Sequence, residues 1–161
     1  MSYKEEELKE LANQLAQCIE DIDQFLVIYL IGNLGAGKTT FARGFLNFFG
    51  FDKVKSPTYS IVETYETENK IIHHFDCYRL TNPEELDLIG IRDYENQNCI
   101  HLIEWPEMAE GIVSSPDISI QIDGENDLRD INLASGSIIG EKIFSCLDFN
   151  IPIAHPTCIW L

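Results

Sequence analysis

The feature that most constrains this chain is a run of apolar residues that leads directly into a glycine-rich loop. Residues 25–31 read Phe-Leu-Val-Ile-Tyr-Leu-Ile, and residues 32–39 then match the pattern Gly-x-x-x-x-Gly-Lys-[Ser/Thr] without a mismatch. The β-branched and aromatic content of the run predicts a strand that is buried on both faces. Apolar residues at helical spacing follow the loop, and Gly50 stands where a glycine commonly ends a helix. The sequence therefore predicts a strand, a phosphate-binding loop and a helix in succession.

The residue types of the loop suit a polyphosphate. Its glycines allow a tight turn and a close approach of the backbone to phosphate, and the helix N-terminus directs N–H groups at the same place. Lys38 supplies a full positive charge for the β- and γ-phosphates, and the hydroxyl of Thr39 can take one position around Mg²⁺. We therefore predict a nucleotide-binding protein.

Charge sets a limit on the partners. The chain has 161 residues with a net charge of -16, from 27 acidic and 11 basic side chains. Such an acidic surface repels phosphate backbones, so we predict no direct, tight binding of nucleic acid. The N-terminal residues lack the apolar segment of a signal peptide, and no apolar run has membrane-spanning length, so we expect no membrane association.

The cysteines are five in number, widely spaced and without a Cys-x-x-Cys pair. This pattern favours reduced thiols over a disulfide framework or a zinc site, and it predicts a cytoplasmic protein.

Secondary-structure signals alternate along the chain. A capping box at Ser2 and Glu5 predicts a first helix to about residue 20. Asn82 is predicted to cap a short helix that ends near residue 90. Antiparallel hairpins are expected at residues 61–65 with 70–76 and at 118–122 with 129–134, a buried strand at 100–104, and a last helix at 138–149. The predicted fold is an α/β, P-loop NTPase-like mixed sheet flanked by helices with an antiparallel hairpin portion. Residues 1–149 are expected to form a single domain, with a tail of uncertain structure at 150–161.

Two carboxylates end predicted strands. Asp76 follows the apolar run 71–75 and Glu104 follows 100–103, and ligands of open α/β sheets collect at such strand ends. Glu104 is predicted to serve as the acidic partner of Mg²⁺, and Asp76 to support the metal or the attacking water. Thr58, on a loop twenty positions after Lys38, is predicted to act as a switch-loop hydroxyl. The strand histidines are interpreted as packing or surface residues, because no metal-ligand spacing connects them.

Six blocks of residues, taken together, resemble the bacterial TsaE (YjeE) family, the ATPase of tRNA threonylcarbamoyladenosine biosynthesis. In order they are residues 32–40, Ser-Pro-Thr-Tyr at 56–59, His-Phe-Asp-Cys-Tyr-Arg-Leu at 74–80, Pro-Glu-Glu-Leu at 83–86, Gly-Ile-Arg-Asp-Tyr at 90–94 and Leu-Ile-Glu-Trp at 102–105. The resemblance covers about residues 8–133. It departs at the end, where Pro152 and Pro156 interrupt the amphipathic helix with which the family usually finishes.

The resemblance implies a cofactor, a partner and a set of site residues. The cofactors are ATP and Mg²⁺, and the partner is the TsaB–TsaD complex, which modifies adenosine 37 of ANN-decoding tRNAs. Thr39 and Glu104 are expected to hold Mg²⁺, with Asp76, Glu104 and Thr58 as catalytic residues. The expected ATP-binding residues are Gly35, Ala36, Gly37, Lys38, Thr39, Thr40 and Arg129.

Functions of other classes stay open from the residues alone. A small-molecule kinase needs clustered cations for its second substrate, and the four arginines of this chain are scattered. A regulatory GTPase requires Asn-Lys-x-Asp for guanine, whereas the Asn-Lys pair at 69–70 is followed by two isoleucines. A nucleotide-dependent interaction module without catalysis is the third alternative, and phosphate-release assays with and without a partner distinguish it.

Overall fold

A seven-stranded mixed sheet forms the centre of the molecule in the computed structural model, which describes residues 2–124 and 126–147. The strands are β1 (Ser2–Tyr3), β2 (Leu26–Ile31), β3 (Val62–Glu66), β4 (Ile71–Asp76), β5 (Cys99–Glu104), β6 (Ile118–Asp123) and β7 (Arg129–Ser135). The α-helices are α1 (Glu5–Ile19), α2 (Lys38–Phe48), α3 (Glu85–Leu88) and α4 (Ile138–Cys146), and 3₁₀ turns occupy Ile91–Tyr94 and Pro106–Ala109. No described helix combines the length and the apolar character needed to cross a bilayer.

Parallel strands occupy the middle of the sheet. The order is β1-β7-β6-β2-β5-β4-β3, with β2 parallel to both β5 and β6 and β4 parallel to β5. The hairpins β3–β4 and β6–β7 are antiparallel. The predicted mixed sheet with antiparallel portions is therefore confirmed. The register of β4 and β5 places Asp76 opposite Glu104, so the two carboxylates end adjacent strands.

Helices α1 and α2 cover one face of the sheet and determine the position of the glycine loop, residues 32–39. Alternate residues of β2, such as Ile28 and Leu30, join a core with Phe41 and Phe45 of α2. Gly44 of α2 lies so close to α1 that an added Cβ would stand 2.7 Å from the carbonyl oxygen of Lys9. Helix α2 is thus held against both the sheet and α1, and its first turn has a defined position at the end of β2.

Two predicted helix starts were misplaced. Helix α1 begins after Lys4, whose backbone N–H donates to Glu7 Oε2 at 2.7 Å, because Ser2 pairs with β7 instead of capping the helix. Helix α3 begins after Glu84, although Asn82 still caps the turn through its side-chain oxygen, which accepts from the Glu84 N–H at 3.1 Å. The last helix ends at Cys146 and Leu147 has an extended backbone, so the predicted helix is wrong at Leu147; residues 148–149 and the tail at 150–161 lie outside the described residues.

The prediction of reduced thiols is wrong for two of the cysteines. Cys18 and Cys146 form a disulfide with their Cα atoms 5.8 Å apart, whereas Cys77 and Cys99 are free and buried. Helices α1 and α4 pack on the same face of the sheet, which brings together cysteines that are 128 positions apart. Cys158 lies outside the described residues.

Candidate nucleotide-binding site

The glycine loop joins the end of β2 to the start of α2. Gly37 precedes the helix with a φ of +112°, a left-handed value that favours glycine. Gly32 packs so closely on β6 that a Cβ would lie 2.3 Å from the carbonyl oxygen of Ile122. These two glycines let the loop curl tightly over the sheet edge, so that the N-terminus of α2 faces the same space as the loop.

Lys38 folds back over this loop. Its Nζ donates to the carbonyl oxygens of Gly32 at 2.6 Å and Asn33 at 2.8 Å, and it lies 4.3 Å from the ring centroid of Trp105. Burial lowers the pKa of the Lys38 ammonium, while the nearby carboxylates of Glu104 and Asp76 oppose that shift. The side chain therefore presents a cation at the point where the loop and two strand ends meet.

Thr39 and Glu104 provide an oxygen pair beside that cation. The Thr39 hydroxyl donates to Glu104 Oε1 at 3.3 Å, and the Glu104 side chain is buried. In the described part of the chain no group of three or more His, Cys, Asp or Glu residues is arranged to hold a metal ion. A cation at this pair would complete its shell with water and phosphate oxygens, which is the coordination that Mg²⁺ prefers.

Asp76 lies next to this pair and contacts the loop that carries Thr58. Its Oδ2 accepts from the Thr58 hydroxyl at 3.4 Å and its Oδ1 accepts from the Tyr78 N–H at 3.0 Å. Burial raises the pKa of the Asp76 carboxyl; the Tyr78 hydrogen bond opposes the shift and the charge of Glu104 adds to it. An acid with this environment accepts a proton more readily than an exposed aspartate does.

These side chains surround one cavity of about 400 Å³. It is lined by Leu34, Gly35, Gly37, Lys38, Thr39, Thr40, Ser56, Thr58, Asp76, Tyr78, Arg79, Glu104 and Trp105. Of the residues predicted to bind ATP, Ala36 points elsewhere: its side chain is buried in the core.

A second cavity of about 600 Å³ adjoins the first and shares Gly35, Gly37 and Thr40 with it. Its other walls are the first turn of α1 and the segment before β7. Arg129 lines it, and its Nη2 donates to the carbonyl oxygen of Gly35 at 3.3 Å. Arg129 therefore reaches the loop from the start of β7, which lies two strands away from β2 in the sheet.

Three residues at the site were not predicted from the sequence as site residues. Arg79 lines the cavity, and its guanidinium lies 4.3 Å from the ring of Tyr59. Trp105 has a φ of +56°, unusual for a bulky residue, and its ring contacts Lys38. His74, interpreted as a packing or surface residue, is buried 3.8 Å from Glu104. The available signal was their position within three residues of Asp76 or Glu104.

Known proteins resemble this chain in sequence and in fold. The family model described as "Threonylcarbamoyl adenosine biosynthesis protein TsaE" matches residues 2–131. Two relatives are each named tRNA threonylcarbamoyladenosine biosynthesis protein TsaE. The one from Haemophilus influenzae is 48% identical over 124 residues, covering 76% of this chain and 78% of its own. The one from Rickettsia conorii is 35% identical over 148 residues, covering 90% and 82%. A crystal structure of YdiB from Bacillus subtilis superposes with a TM-score of 0.73 at 25% identity, covering 91% of this chain and 93% of that one.

Proposed function

The chain belongs to the TsaE family of tRNA threonylcarbamoyladenosine biosynthesis proteins, and we propose that it serves this pathway as a magnesium-dependent ATPase. The observation that carries the proposal is the convergence of Lys38, Thr39, Asp76 and Glu104 on one cavity at the end of the glycine loop. These groups are the cation, the metal ligands and the water-orienting acid that P-loop hydrolysis requires.

The two adjoining cavities suggest how ATP lies. The β- and γ-phosphates occupy the cavity under Lys38, because loop N–H groups and the N-terminus of α2 face it. The adenosine moiety occupies the cavity beside Arg129, between the first turn of α1 and the segment before β7. The shared wall at Gly35, Gly37 and Thr40 gives the α-phosphate a passage between the two.

The metal and the acid have separate tasks. Thr39 and Glu104 would hold Mg²⁺, which supplies charge neutralisation to the β- and γ-phosphate oxygens when bound. Asp76 orients the attacking water and accepts its proton, and its elevated pKa favours that step. Thr58 holds the Asp76 carboxylate from the switch loop through their 3.4 Å contact.

The working partner is proposed to be the TsaB–TsaD complex, not the tRNA itself. With a net charge of -16 the chain lacks the clustered cations that strong RNA binding takes. Exposed apolar side chains instead lie near the nucleotide cavity: Leu34, which lines it, is 67% exposed, and Tyr59, which contacts the lining residue Arg79, is 84% exposed. Nucleotide would order the switch loop around Thr58, and the partner would bind the surface formed by this ordered loop and the region near Trp105. A cytoplasmic location follows from the proposed work on tRNA.

Binding assays test the partner claim directly. The immobilised TsaB–TsaD pair should retain this chain with Mg-ATP and lose it with Mg²⁺ alone. The isolated chain should cause no shift of tRNA in a gel at physiological salt. Tight, salt-sensitive binding of tRNA by this chain alone, or retention on TsaB–TsaD that ignores nucleotide, contradicts the proposal.

A further inference from the structure

His74 is a buried polar residue whose contacts inside the fold are incomplete. Its side chain is fully buried in β4, and within the described residues neither Nδ1 nor Nε2 has a hydrogen-bond partner. Nε2 lies 3.8 Å from Glu104 Oε1, beyond hydrogen-bond distance. A neutral imidazole always carries one N–H donor and one acceptor nitrogen, and burying them unpaired costs free energy.

The His74 side chain lies on the same face of the sheet as Asp76 and Glu104. His74, Asp76 and Glu104 lie on the face of the sheet that α2 covers, since side chains two positions apart in a strand share a face. Ile72 is two residues before His74 and four before Asp76, Leu102 is two residues before Glu104, and both belong to the core under that helix. The Thr39 hydroxyl contacts the same oxygen, Oε1 of Glu104, at 3.3 Å. Two potential donors thus flank one carboxylate oxygen.

We propose that His74 is a positioning residue for Glu104, an inference that rests on the proposed magnesium site. The Nε2–H of His74 donates to Glu104 Oε1 when a cation engages the carboxylate, a closure of about 0.8 Å from the present distance. Thr39 must then turn its oxygen to the cation, which takes its hydroxyl away from Glu104. The histidine replaces that donor and holds the carboxylate in the orientation that a strict octahedral ion requires.

A packing role makes the opposite forecast. If His74 only filled space, an apolar side chain of similar size would serve as well or better, since it leaves no polar atom unpaired. If His74 positions Glu104, His74→Leu should fold with undiminished thermal stability yet bind Mg²⁺ poorly. Glutamine can present a donor near the place of Nε2, so His74→Gln should restore much of the Mg²⁺ affinity.

Calorimetry on the full chain separates these readings. ATP is titrated with and without Mg²⁺ into the wild type, His74→Leu, His74→Gln and a control, His73→Leu. His73 is the adjacent buried histidine of β4, and its side chain lies on the other face of the sheet. There its Nδ1 forms a hydrogen bond with the Thr64 hydroxyl at 2.9 Å. We expect His74→Leu to lose about 10- to 100-fold of its Mg²⁺-dependent affinity, while metal-free ATP binding is unchanged. We expect His73→Leu to behave as the wild type.

The outcomes are distinct. Wild-type affinity in His74→Leu, or equal losses with and without Mg²⁺, overturns the positioning role and leaves the proposed function standing. Absence of Mg²⁺-dependent ATP binding in the wild type overturns the proposed function and this inference with it. If His74→Leu fails to fold, His74→Met, which also lacks an N–H donor, replaces it in the same titrations and is judged by the same outcomes.

Discussion

Replacing Lys38 by alanine should remove most of the affinity for ATP while leaving the fold intact. In the structure this ammonium is held over the loop by two backbone carbonyl oxygens, at 2.6 and 2.8 Å, so it needs little rearrangement to meet a phosphate. A unit charge pair about 4 Å apart contributes roughly 4 kcal/mol at an effective dielectric constant near 20. Because Lys38 must give up its carbonyl contacts, the net loss is smaller, and we expect Kd for Mg-ATP to rise about 100-fold.

The assay is calorimetric titration of Mg-ATP, with thermal unfolding as the test of folding. Lys53→Ala is the matched control, since it removes the same charge from an exposed position that does not line the cavity. The control should bind like the wild type and exclude a general electrostatic effect. Normal ATP affinity in folded Lys38→Ala, or an equal loss in Lys53→Ala, refutes the assignment of the cavity as the phosphate site.

Three further changes test the site and the fold. Glu104→Ala should lower Mg²⁺-dependent ATP affinity by at least about tenfold, as measured by calorimetry. Asp76→Asn should keep ATP binding but lose about 10²- to 10⁴-fold in turnover, as measured by phosphate release. Identical behaviour of the two variants contradicts the division of roles. Reducing the disulfide between Cys18 and Cys146 should lower the free energy of unfolding by up to about 5 kcal/mol, given their separation of 128 positions in the sequence. Dithiothreitol should have no such effect on Cys18→Ser. Burial lowers the pKa of His101 to about 4, so the unfolded chain binds more protons below the ordinary value of 6.5 and stability falls as pH decreases through that window. Urea unfolding should show a loss of about 2 kcal/mol between about pH 7 and pH 5, and a flat profile there contradicts the buried neutral imidazole.

Local signals in the sequence were sufficient for the centre of the fold. The strand at 26–31, the glycine loop and α2 follow one another within a short segment, so spacing and residue type alone predict them. Apolar runs that end in a carboxylate were enough to predict Asp76 and Glu104 at strand ends, whereas the register shows that their two strands are parallel neighbours. The roles of these residues stay predictions.

Long-range packing decided what the sequence could not. Ser2 has the spacing of a helix cap, but pairing with β7 satisfies it as a strand residue instead. The disulfide joins two helices whose proximity depends on the whole sheet, and no local pattern encodes it. His74 reads as an ordinary strand residue until the register places it beside Glu104. In each case a distant contact outweighed a local preference.

The most direct test of the account is phosphate release from ATP by this chain, measured alone and with the TsaB–TsaD pair. We predict slow, Mg²⁺-dependent release by the chain alone, faster release with the pair, and loss of both in Asp76→Asn with ATP binding retained. ATP turnover that is absent under both conditions, or that persists unchanged in Asp76→Asn, would contradict a hydrolytic site at the cavity under Lys38.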